Sequence, residues 1–447
     1  MNRLLNFLKT RKITLPIWLG LLLNKIPYNK RPGIGELYEK QSKLINSFKT
    51  FSSKEKEEYI INQFVRIFTH AYNNIPFYND LYTKHGIEPG DIKSISDIKR
   101  VPVITKSDLR KYELEDRSFK VKNRLLVNTG GSSGNPFSFY MDPLRYGNEW
   151  AHIHNMWSVY GYKPSDLKLG FGGRAKVNNK ITYDFARNSL IYDIYGDESK
   201  QAKELVEIQR RYKIKYLHGY PSAIYEFAIH CETDNKLLTL LRENLKAVFL
   251  SSETPLPHYR SKIENVFGVP CQPFYGHTET CVMAIEEEKN IYSAYQTYGF
   301  AESIKYHDKY HLIGTSYFNF ASPLIRYDTE DLIEPLRSGE AILSQFQIKE
   351  GRIGDYILDK NGKKIPLTGL IFGRHHELFN FSDHIQVFQD DPGKAIILFV
   401  PNKHIDMNDV HKLFDSDNVE IEFSFKKINY PILTSSGKVN LKVNSID

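Results

Sequence analysis

The sequence predicts a mixed α/β protein. Apolar runs of strand length, such as KAVFLSSE at 246–253 and YHLIGTSYF at 310–318, alternate with stretches in which apolar residues recur at helical spacing. The chain has 447 residues, and 41% of them are hydrophobic. This is ample material for a core, at a length typical of two or three folding units, and the alternation of the two patterns favours the α/β class.

An apolar run at 13–23, ITLPIWLGLLL, lies among lysine and arginine residues near the start of the chain. A membrane span needs about 20 apolar residues, and no small-residue cleavage site follows the run, so we expect neither a transmembrane helix nor a signal peptide. We expect a helix that packs against the protein's own core. Reversible contact with an anionic membrane surface is the alternative.

The next segment has the signature of a capped amphipathic helix. Ser52 stands three residues before Glu55, which is the spacing of a capping box. The apolar residues that follow at helical spacing are Ile60, Phe64, Ile67, Phe68 and Ala71. Pro76 disfavours helical geometry at Ile75 and therefore ends the helix. A second helical stretch is expected over 95–110, ISDIKRVPVITKSDLR.

Two short apolar runs, at 125–127 and 137–141, flank a glycine-rich loop, and we expect that loop to join two strands. An aromatic-rich stretch follows at 144–162 and includes Trp150, Trp157 and Tyr160. It predicts a buried helix.

The pattern changes near residue 350, where charged residues precede a turn at Asn361 and Gly362. Beyond the turn come AIILFV at 395–400, a helical DMNDVHKLF at 406–414 and VEIEFSF at 419–425. This strand, helix, strand succession predicts a small domain. We place the large domain over 1–350 and the small one over 351–447.

The composition narrows the class of partner. Lysine and arginine number 60 against 53 acidic residues, and the formal charge of +7 comes with no nucleic-acid-binding motif. We expect no nucleic-acid partner, and a pocket for an anionic ligand would also use this charge. Cys231, Cys271 and Cys281 form no CxxC pair and show no zinc-ligand spacing. A reducing cytoplasm is the simpler location.

The loop TGGSSGNP at 129–136 points to chemistry. A glycine-rich backbone turns successive N–H groups toward one point, and hydroxyl side chains add donors, so such loops often cradle phosphates. The P-loop pattern fails here, because Gly134 is followed by Asn135 and Pro136. Taken alone, the segment is equally compatible with a surface turn.

Five further motifs follow the loop in order. They are LSSETP at 250–255, FYGHTE at 274–279, PLIRYDTEDL at 323–332, EGRIGDYI at 350–357 and TSSGKVNLKV at 434–443. This set resembles the adenylate-forming enzymes, whose signatures include TSGTTGKP, YGxTE, YRTGD, GRxDD and a late GK. NNIPFY, IKRVPVITKSDL and HGYPSAIYEFA are similar to the phenylacetate-CoA ligase branch, particularly its CapK-type members associated with capsular polysaccharide. The resemblance spans about residues 55–445.

The resemblance implies an α/β fold with a large multi-layer N-terminal adenylation domain and a small, mobile α+β C-terminal domain. It also implies that a small-molecule carboxylic acid attacks the α-phosphate of ATP in the presence of Mg²⁺, with loss of pyrophosphate. The acyl group of the acyl-AMP would then pass to coenzyme A or to an amine on a sugar. A role in capsule or O-antigen polysaccharide synthesis is implied by the CapK-type likeness.

The same resemblance assigns roles to individual residues. Thr129, Gly131, Ser132, Ser133 and Gly134 would bind the β- and γ-phosphates, and Ser252 and Glu253 would line the adenine pocket. The ring of Tyr275 would pack on adenine, Gly276 would belong to the same cofactor-binding set, and Thr278 would bond the α-phosphate. Glu279 would bind Mg²⁺, and Asp331 would bind the ribose hydroxyls. Arg352 would join the cofactor-binding set and, with Asp355, form a hinge near 350–355, and Lys438 would supply the catalytic cation. His277 would approach the carboxylate or serve a structural role.

Two residues depart from the family pattern. Asn135 stands where the phosphate loop usually has lysine, and Glu330 stands where YRTGD has glycine. Both departures favour an alternative, a non-catalytic relative that binds a nucleotide or a partner in polysaccharide assembly. The presence together of Glu279, Asp331, Arg352 and Lys438 favours the enzyme.

Overall fold

Helices and strands alternate along most of the chain in a computed structural model, which describes residues 16–31, 33–129, 137–173, 180–253, 255–337, 342–350, 355–374, 376–433 and 440–446. The α-helices of these residues are α1 (Ile17–Leu23), α2 (Leu37–Phe48), α3 (Ser53–Asn74), α4 (Pro76–Lys84), α5 (Ile95–Ile98), α6 (Lys106–Arg110), α7 (Arg145–Ser158), α8 (Glu198–Tyr212), α9 (Pro221–Thr233), α10 (Asn235–Arg242) and α11 (Pro257–Phe267). The predicted mixed α/β class is confirmed.

The strands are β1 (Leu125–Thr129), β2 (Phe137–Met141), β3 (Lys168–Phe171), β4 (Thr182–Asp184), β5 (Ser189–Tyr192), β6 (Tyr216–Gly219), β7 (Ala247–Leu250), β8 (Cys271–Gly276), β9 (Met283–Glu288), β10 (Ile291–Ala294), β11 (Gly299–Tyr306), β12 (Lys309–Ser316), β13 (Tyr327–Pro335), β14 (Gln345–Glu350), β15 (Tyr356–Leu358), β16 (Lys364–Pro366), β17 (Ser382–Phe388), β18 (Lys394–Pro401), β19 (Glu422–Lys427) and β20 (Lys442–Val443). Twelve of these described strands form one sheet, in the order β11-β12-β13-β14-β10-β9-β8-β7-β6-β3-β5-β4. The run from β5 through β3, β6 and β7 to β8 is parallel, and the remaining pairs are antiparallel. Parallel neighbours need crossover connections, which is why α8 to α11 fall between β5 and β8.

Helices cover both faces of the parallel strands. Alternate residues of a strand point to opposite faces, and Val248 and Leu250 of β7 pack into the apolar cluster that includes α8 to α11. Phe249, between them, stacks on Trp157 of α7 with 4.5 Å between ring centroids. The aromatic stretch at 144–162 is therefore a buried helix, as predicted, although α7 ends at Ser158, before Tyr160.

The capped helix predicted from Ser52 is confirmed as α3. The Ser52 hydroxyl accepts from the Glu55 N–H at 3.3 Å, and the Glu55 carboxylate accepts from the Ser52 N–H at 2.7 Å. The apolar residues predicted from its spacing are the ones that α3 buries. Ile75 is extended, with φ −125° and ψ 112°, and the chain re-enters a helix at Pro76.

Two helix predictions require correction. The stretch at 95–110 forms two short helices, α5 and α6, because Ile104 between them pairs with the edge of β13 through its N–H and C=O groups. The stretch at 406–414 contains only a 3-10 turn, at Val410–Leu413. Asp406 accepts the N–H of Asn408 at 2.9 Å, and such local side-chain bonds compete with helical hydrogen bonds.

The apolar run near the N-terminus forms α1, and the predicted packing against the core is confirmed for its described residues. Ile17 and Leu23 contact the cluster around the parallel strands. Gly20 lies so close to Tyr183 that an added Cβ would come within 1.8 Å of a ring carbon. Trp18 and Leu22 are exposed on the other side of the helix. None of the helices described is long and apolar enough to cross a membrane.

The described residues after 354 form two small sheets, the β15-β16 hairpin and a four-stranded sheet in the order β19-β18-β17-β20. The hairpin contains the predicted turn, with Gly362 at φ +78°. Apolar residues of β17 and β18 belong to the same cluster as those of α8 to α11. Gly369 lies very close to Gly173, which follows β3. A Cβ added to Gly173 would be only 2.2 Å from the Gly369 Cα. A division into two domains at residue 350 stays a prediction.

Candidate active site

The carboxyl ends of three parallel strands define the candidate active site. Gly219 of β6, Leu250 of β7 and Pro273 of β8 lie side by side in register. The segments that follow these strands therefore emerge at one edge of the sheet, which is where open α/β sheets bind ligands. Ser252 and Glu253 follow β7, and the FYGHTE motif runs from the end of β8 into the loop beyond it.

Tyr275 and Asp331 meet directly, although three strands separate β8 from β13 in the sheet. The Tyr275 hydroxyl donates to the Asp331 carboxylate at 2.5 Å, so the sheet must curl to bring the two strands face to face. Burial raises the pKa of Asp331, and the hydrogen bond from Tyr275 works against this rise. A ligand hydroxyl that bonds to Asp331 would share or replace this contact.

Glu279 is a buried carboxylate that remains ionised. It is 8% exposed, and burial alone would raise its pKa. The hydrogen bond from His277 and the positive charge of Lys106 outweigh burial and lower the pKa of Glu279 to about 2. A buried, charged oxygen ligand of this kind suits a hard cation such as Mg²⁺.

Both ring nitrogens of His277 are used within the protein. Nε2 accepts from the Val282 N–H at 3.3 Å, and Nδ1 lies 3.2 Å from a Glu279 oxygen. Because a backbone N–H donates to Nε2, the proton resides on Nδ1 and is donated to Glu279. This geometry favours the structural role of His277 over the catalytic one.

The glycine-rich loop is carried by a separate hairpin. β1 and β2 pair antiparallel, and Thr129 opposite Phe137 is their final pair, which confirms the strands predicted on either side of the loop. The hairpin is tied to the rest of the site by the Tyr140 N–H, which donates to Ser322 at 3.0 Å. Just beyond the hairpin, Arg145 donates to the carbonyl of Thr278 at 3.4 Å.

Glu253 has a contact that its motif did not indicate. Its carboxylate accepts from the N–H and the hydroxyl of Ser222, each at 3.1 Å. The Glu253 side chain thus binds the start of α9, the helix that follows the neighbouring strand β6. Ser252 beside it is exposed. Gly276 and Thr278 are also exposed at this edge.

Several non-glycine residues near the site have a left-handed backbone. They are Ser252 at φ +71°, Thr280 at φ +58°, Arg326 at φ +48° and Glu330 at φ +64°. This conformation costs a non-glycine residue about 1–2 kcal/mol. The left-handed backbone at Glu330 explains why the family pattern has glycine at this position. In this chain the turn is retained without glycine. Strained backbone of this kind is concentrated at functional sites.

Comparison with known proteins shows which enzymes the chain resembles. The chain is 23% identical over 400 residues to Protein CapK of Staphylococcus aureus, covering 86% of this chain and 88% of CapK. It is 21% identical over 324 residues to phenylacetate-coenzyme A ligase of Escherichia coli (strain K12), covering 66% of this chain and 71% of that ligase. The chain is thus similar to adenylate-forming ligases of the phenylacetate-coenzyme A ligase and CapK branch.

The chain matches no family model. Among solved structures it is similar to 2-hydroxyisobutyryl-CoA ligase in the postadenylation state, with 16% identity and a TM-score of 0.49 over 89% of this chain and 91% of that one. A likeness at this level adds nothing to the assignment.

The predicted site residues are divided between described and undescribed parts of the chain. Tyr275, His277, Glu279 and Asp331 lie in one network, with Thr278 close by. Gly131, Ser132, Ser133, Gly134, Arg352 and Lys438 lie outside the described residues, as does the side chain of Thr129. Asp355, predicted to form the hinge with Arg352, is among the described residues. Burial raises its pKa, and the charge of Lys442 only partly opposes this rise.

Lys106 is the residue of this network that sequence reasoning missed. Its Nζ lies 2.7 Å from a Glu330 oxygen, and its side chain is 4% exposed. The sequence offered one signal, since Glu330 introduces a charge where the family pattern has glycine. That charge has a buried partner 224 positions away.

Proposed function

We propose that this ligase activates a small carboxylic acid with ATP and then transfers the acyl group to coenzyme A. A carboxylate oxygen of the acid bonds to the α-phosphorus, the bond from that phosphorus to the bridging oxygen breaks, and pyrophosphate leaves. The thiolate of coenzyme A then attacks the acyl carbon of the acyl-AMP, and AMP leaves. The observation that carries the proposal is the network of Tyr275, Glu279 and Asp331 at the carboxyl edge of the parallel strands.

Each described side chain suits one part of the nucleotide. The ring of Tyr275 would stack on adenine, and Asp331 would accept hydrogen bonds from the ribose hydroxyls. Glu279 would hold Mg²⁺, which commonly takes one or two protein carboxylates together with substrate phosphates. When bound, the ion neutralises charge on the phosphate oxygens.

The residues outside the described ranges complete the proposal. Gly131, Ser132, Ser133 and Gly134, with Thr129, would surround the β- and γ-phosphates through N–H and hydroxyl donors. Lys438 would bring a cation to the developing charge at phosphorus. Arg352 and Asp355 would form the hinge that lets the C-terminal residues move between the two half-reactions.

Coenzyme A is the proposed acceptor because two of the curated relatives are named phenylacetate-coenzyme A ligases. The relationship to CapK supports a second acceptor, an amine on a sugar, and a role in surface polysaccharide synthesis. Adding coenzyme A or an amino-sugar nucleotide to the preformed acyl-AMP distinguishes the two acceptors. The one that accelerates AMP release is the acceptor, and acceleration by neither would contradict the transfer step.

The first test is acid-dependent release of pyrophosphate. Protein, ATP and Mg²⁺ are incubated with a panel of acids, and hydroxylamine traps any acyl-AMP as a hydroxamate. Lys438→Ala should reduce pyrophosphate release about 100-fold or more, because a charge that stabilises the transition state is lost. Lys427→Ala, which removes an exposed lysine of β19, is the matched control and should leave the rate unchanged.

Two results would change the proposal. Normal turnover in Lys438→Ala would remove Lys438 from the mechanism. ATP binding without pyrophosphate release for any acid would favour the alternative, a non-catalytic nucleotide-binding relative that acts through a partner.

We also propose a cytoplasmic location with peripheral contact to anionic membranes. The free, buried Cys231, Cys271 and Cys281 suit a reducing compartment. The exposed Trp18 and Leu22 of α1, 57% and 53% exposed, support the membrane contact. The protein should sediment with vesicles that contain phosphatidylserine and less so after Trp18→Ala. If the protein sediments equally well with neutral vesicles and with vesicles that contain phosphatidylserine, the proposed contact with anionic membranes is contradicted.

A further inference from the structure

Lys106 is held beside the candidate nucleotide site by the pairing of the preceding residues with β13. The Ile104 N–H donates to the Arg326 carbonyl at 3.0 Å, and the Ile104 carbonyl accepts from the Asp328 N–H at 2.9 Å. Two residues later Lys106 begins α6, which is capped by reciprocal hydrogen bonds between Thr105 and Asp108. The lysine is therefore fixed next to the part of β13 that carries Glu330 and Asp331.

The surroundings of Lys106 are acidic. Its ammonium pairs with Glu330, and its charge helps to lower the pKa of Glu279 and opposes the rise that burial causes in the pKa of Asp331. A phosphate that enters this cluster meets three carboxylates and needs a cation as partner. The glycine-rich loop has Asn135 where a lysine would supply that cation. Lys106 offers an ammonium from the start of α6, 2.7 Å from a Glu330 oxygen.

The ion pair between Glu330 and Lys106 can be broken at little cost to Glu330. Its side chain is 38% exposed, whereas that of Lys106 is 4% exposed. The Glu330 carboxylate already contacts water, so it loses little itself when it leaves its partner and becomes fully hydrated. The buried ammonium, in contrast, requires an anionic partner. Glu330 can therefore neutralise Lys106 when no ligand is bound, and a phosphate of the ligand can take its place.

We infer that Lys106 binds the α-phosphate of the nucleotide by exchanging Glu330 for a phosphate oxygen. The inference rests on the proposed function, since it requires a nucleotide in this site. The α-phosphate is the group concerned because Lys106 pairs at 2.7 Å with Glu330, the neighbour of Asp331, and lies close enough to Glu279 for its charge to act there. We assign Asp331 to the ribose and Glu279 to the metal-bound phosphates. In ATP the α-phosphate lies between these two parts.

A comparison of AMP with adenosine tests the inference, because only AMP carries the phosphate. Binding of each is measured by isothermal titration calorimetry to the wild type and to Lys106→Met. The variant should bind AMP about 10- to 100-fold more weakly, the usual effect of losing a charge-assisted hydrogen bond. Its affinity for adenosine should stay within about twofold, which also shows that the site is folded.

Three further variants complete the experiment. Lys106→Arg, which keeps the charge, should lose less AMP affinity than Lys106→Met. Glu330→Gln removes the competing carboxylate and should bind AMP at least as well as the wild type. Lys111→Met removes an exposed lysine from the same region, 66% exposed, and is the control for net charge.

The outcomes separate this inference from the proposed function. If the wild type binds AMP and Lys106→Met binds it equally well, the role of Lys106 is refuted while the nucleotide site stands. A parallel loss of AMP and adenosine would show that Lys106 is only structural. A tenfold loss of AMP affinity in Glu330→Gln would contradict the exchange. If the wild type binds neither AMP nor adenosine, the proposed function fails and the inference fails with it.

Discussion

Arg326 fastens the segment before Lys106 to β13. Its guanidinium makes two hydrogen bonds to the Glu302 carboxylate, at 2.7 and 2.9 Å. It also donates to the carbonyl of Lys99 at 2.7 Å and to that of Val101. Both side chains of the ion pair are buried, at 5% and 4% exposure. The position of Lys106 therefore depends on an ion pair that lies outside the site.

Arg326→Met should lower the free energy of unfolding by about 3–5 kcal/mol, because Glu302 becomes an unpaired buried charge. Urea denaturation followed by circular dichroism measures the change. The double variant Arg326→Met with Glu302→Met should recover much of the loss, since no charge is then left unpaired. Lys54→Met breaks an ion pair in which the lysine is 87% exposed and should cost less than about 0.5 kcal/mol. A loss below about 1 kcal/mol in Arg326→Met would contradict this account.

At the residue scale, the sequence predicted groups that belong to short motifs. Glu279 and Asp331 were found in this way, and the structure brings them into one network. Lys106 and Arg326 were missed, because their partners are 224 and 24 positions away and no local pattern marks such pairs. The capping of α9 by Glu253 was missed for the same reason. Roles within a network follow from contacts that only the folded chain creates.

The capping box of α3 is an element whose stability can be tested by one substitution. Ser52→Ala removes the hydroxyl that accepts from Glu55 and should cost about 1 kcal/mol of unfolding free energy. Ser53→Ala changes the next, exposed residue without touching the cap and should have little effect. Equal unfolding midpoints for the two variants would show that the cap contributes nothing to stability.

At the element scale, prediction succeeded where the signals were local. Helix α3 was predicted with its cap, its buried face and its end at Ile75, because each of these features depends on residues within one or two turns. The stretch at 406–414 was predicted wrongly. Its helical spacing competes with the turn-forming side chain of Asp406, and the helix does not form. The stretch at 95–110 is divided by the pairing of Ile104 with β13, a contact that no local pattern indicates.

The stability of the whole molecule should fall in acid through histidines that are buried in the neutral form. Burial lowers the pKa of His152 to about 4 from its ordinary 6.5. Nδ1 of this histidine donates to the Asn148 carbonyl and Nε2 accepts from Thr297, each at 2.8 Å. The unfolded chain takes up the proton at a higher pH than the folded one. The unfolding free energy therefore decreases as the pH falls from about 6.5 to about 4, by up to about 3 kcal/mol from this residue.

Urea denaturation between pH 7.5 and pH 4 checks this prediction. In His152→Gln the unfolding free energy should depend less steeply on pH than in the wild type. The difference in slope should correspond to the uptake of about one proton on unfolding. His404→Gln, at an exposed position, should not change the slope. His218, whose pKa burial lowers to about 4, contributes in the same range and keeps some slope in the variant. An unchanged slope in His152→Gln would refute the assignment.

At the scale of the whole molecule, the sequence predicted the class and the succession of elements but not their arrangement. The order of the twelve described strands depends on pairings between distant segments. The closeness of Tyr275 and Asp331 follows from that order and from the curl of the sheet. The contact of Gly369 with Gly173 likewise joins parts of the chain far apart in sequence. Such arrangements are set by packing, which residue patterns do not specify.

The hairpin of β1 and β2 forms a two-stranded sheet apart from the large one. Changes in the loop between its strands therefore leave the register of the large sheet untouched. The Tyr140 N–H, the Ser322 hydroxyl and the pairs from Leu125 to Thr129 would stay in place. Loops of other lengths and charges could therefore be grafted between β1 and β2 to test the proposed phosphate-binding role of this segment.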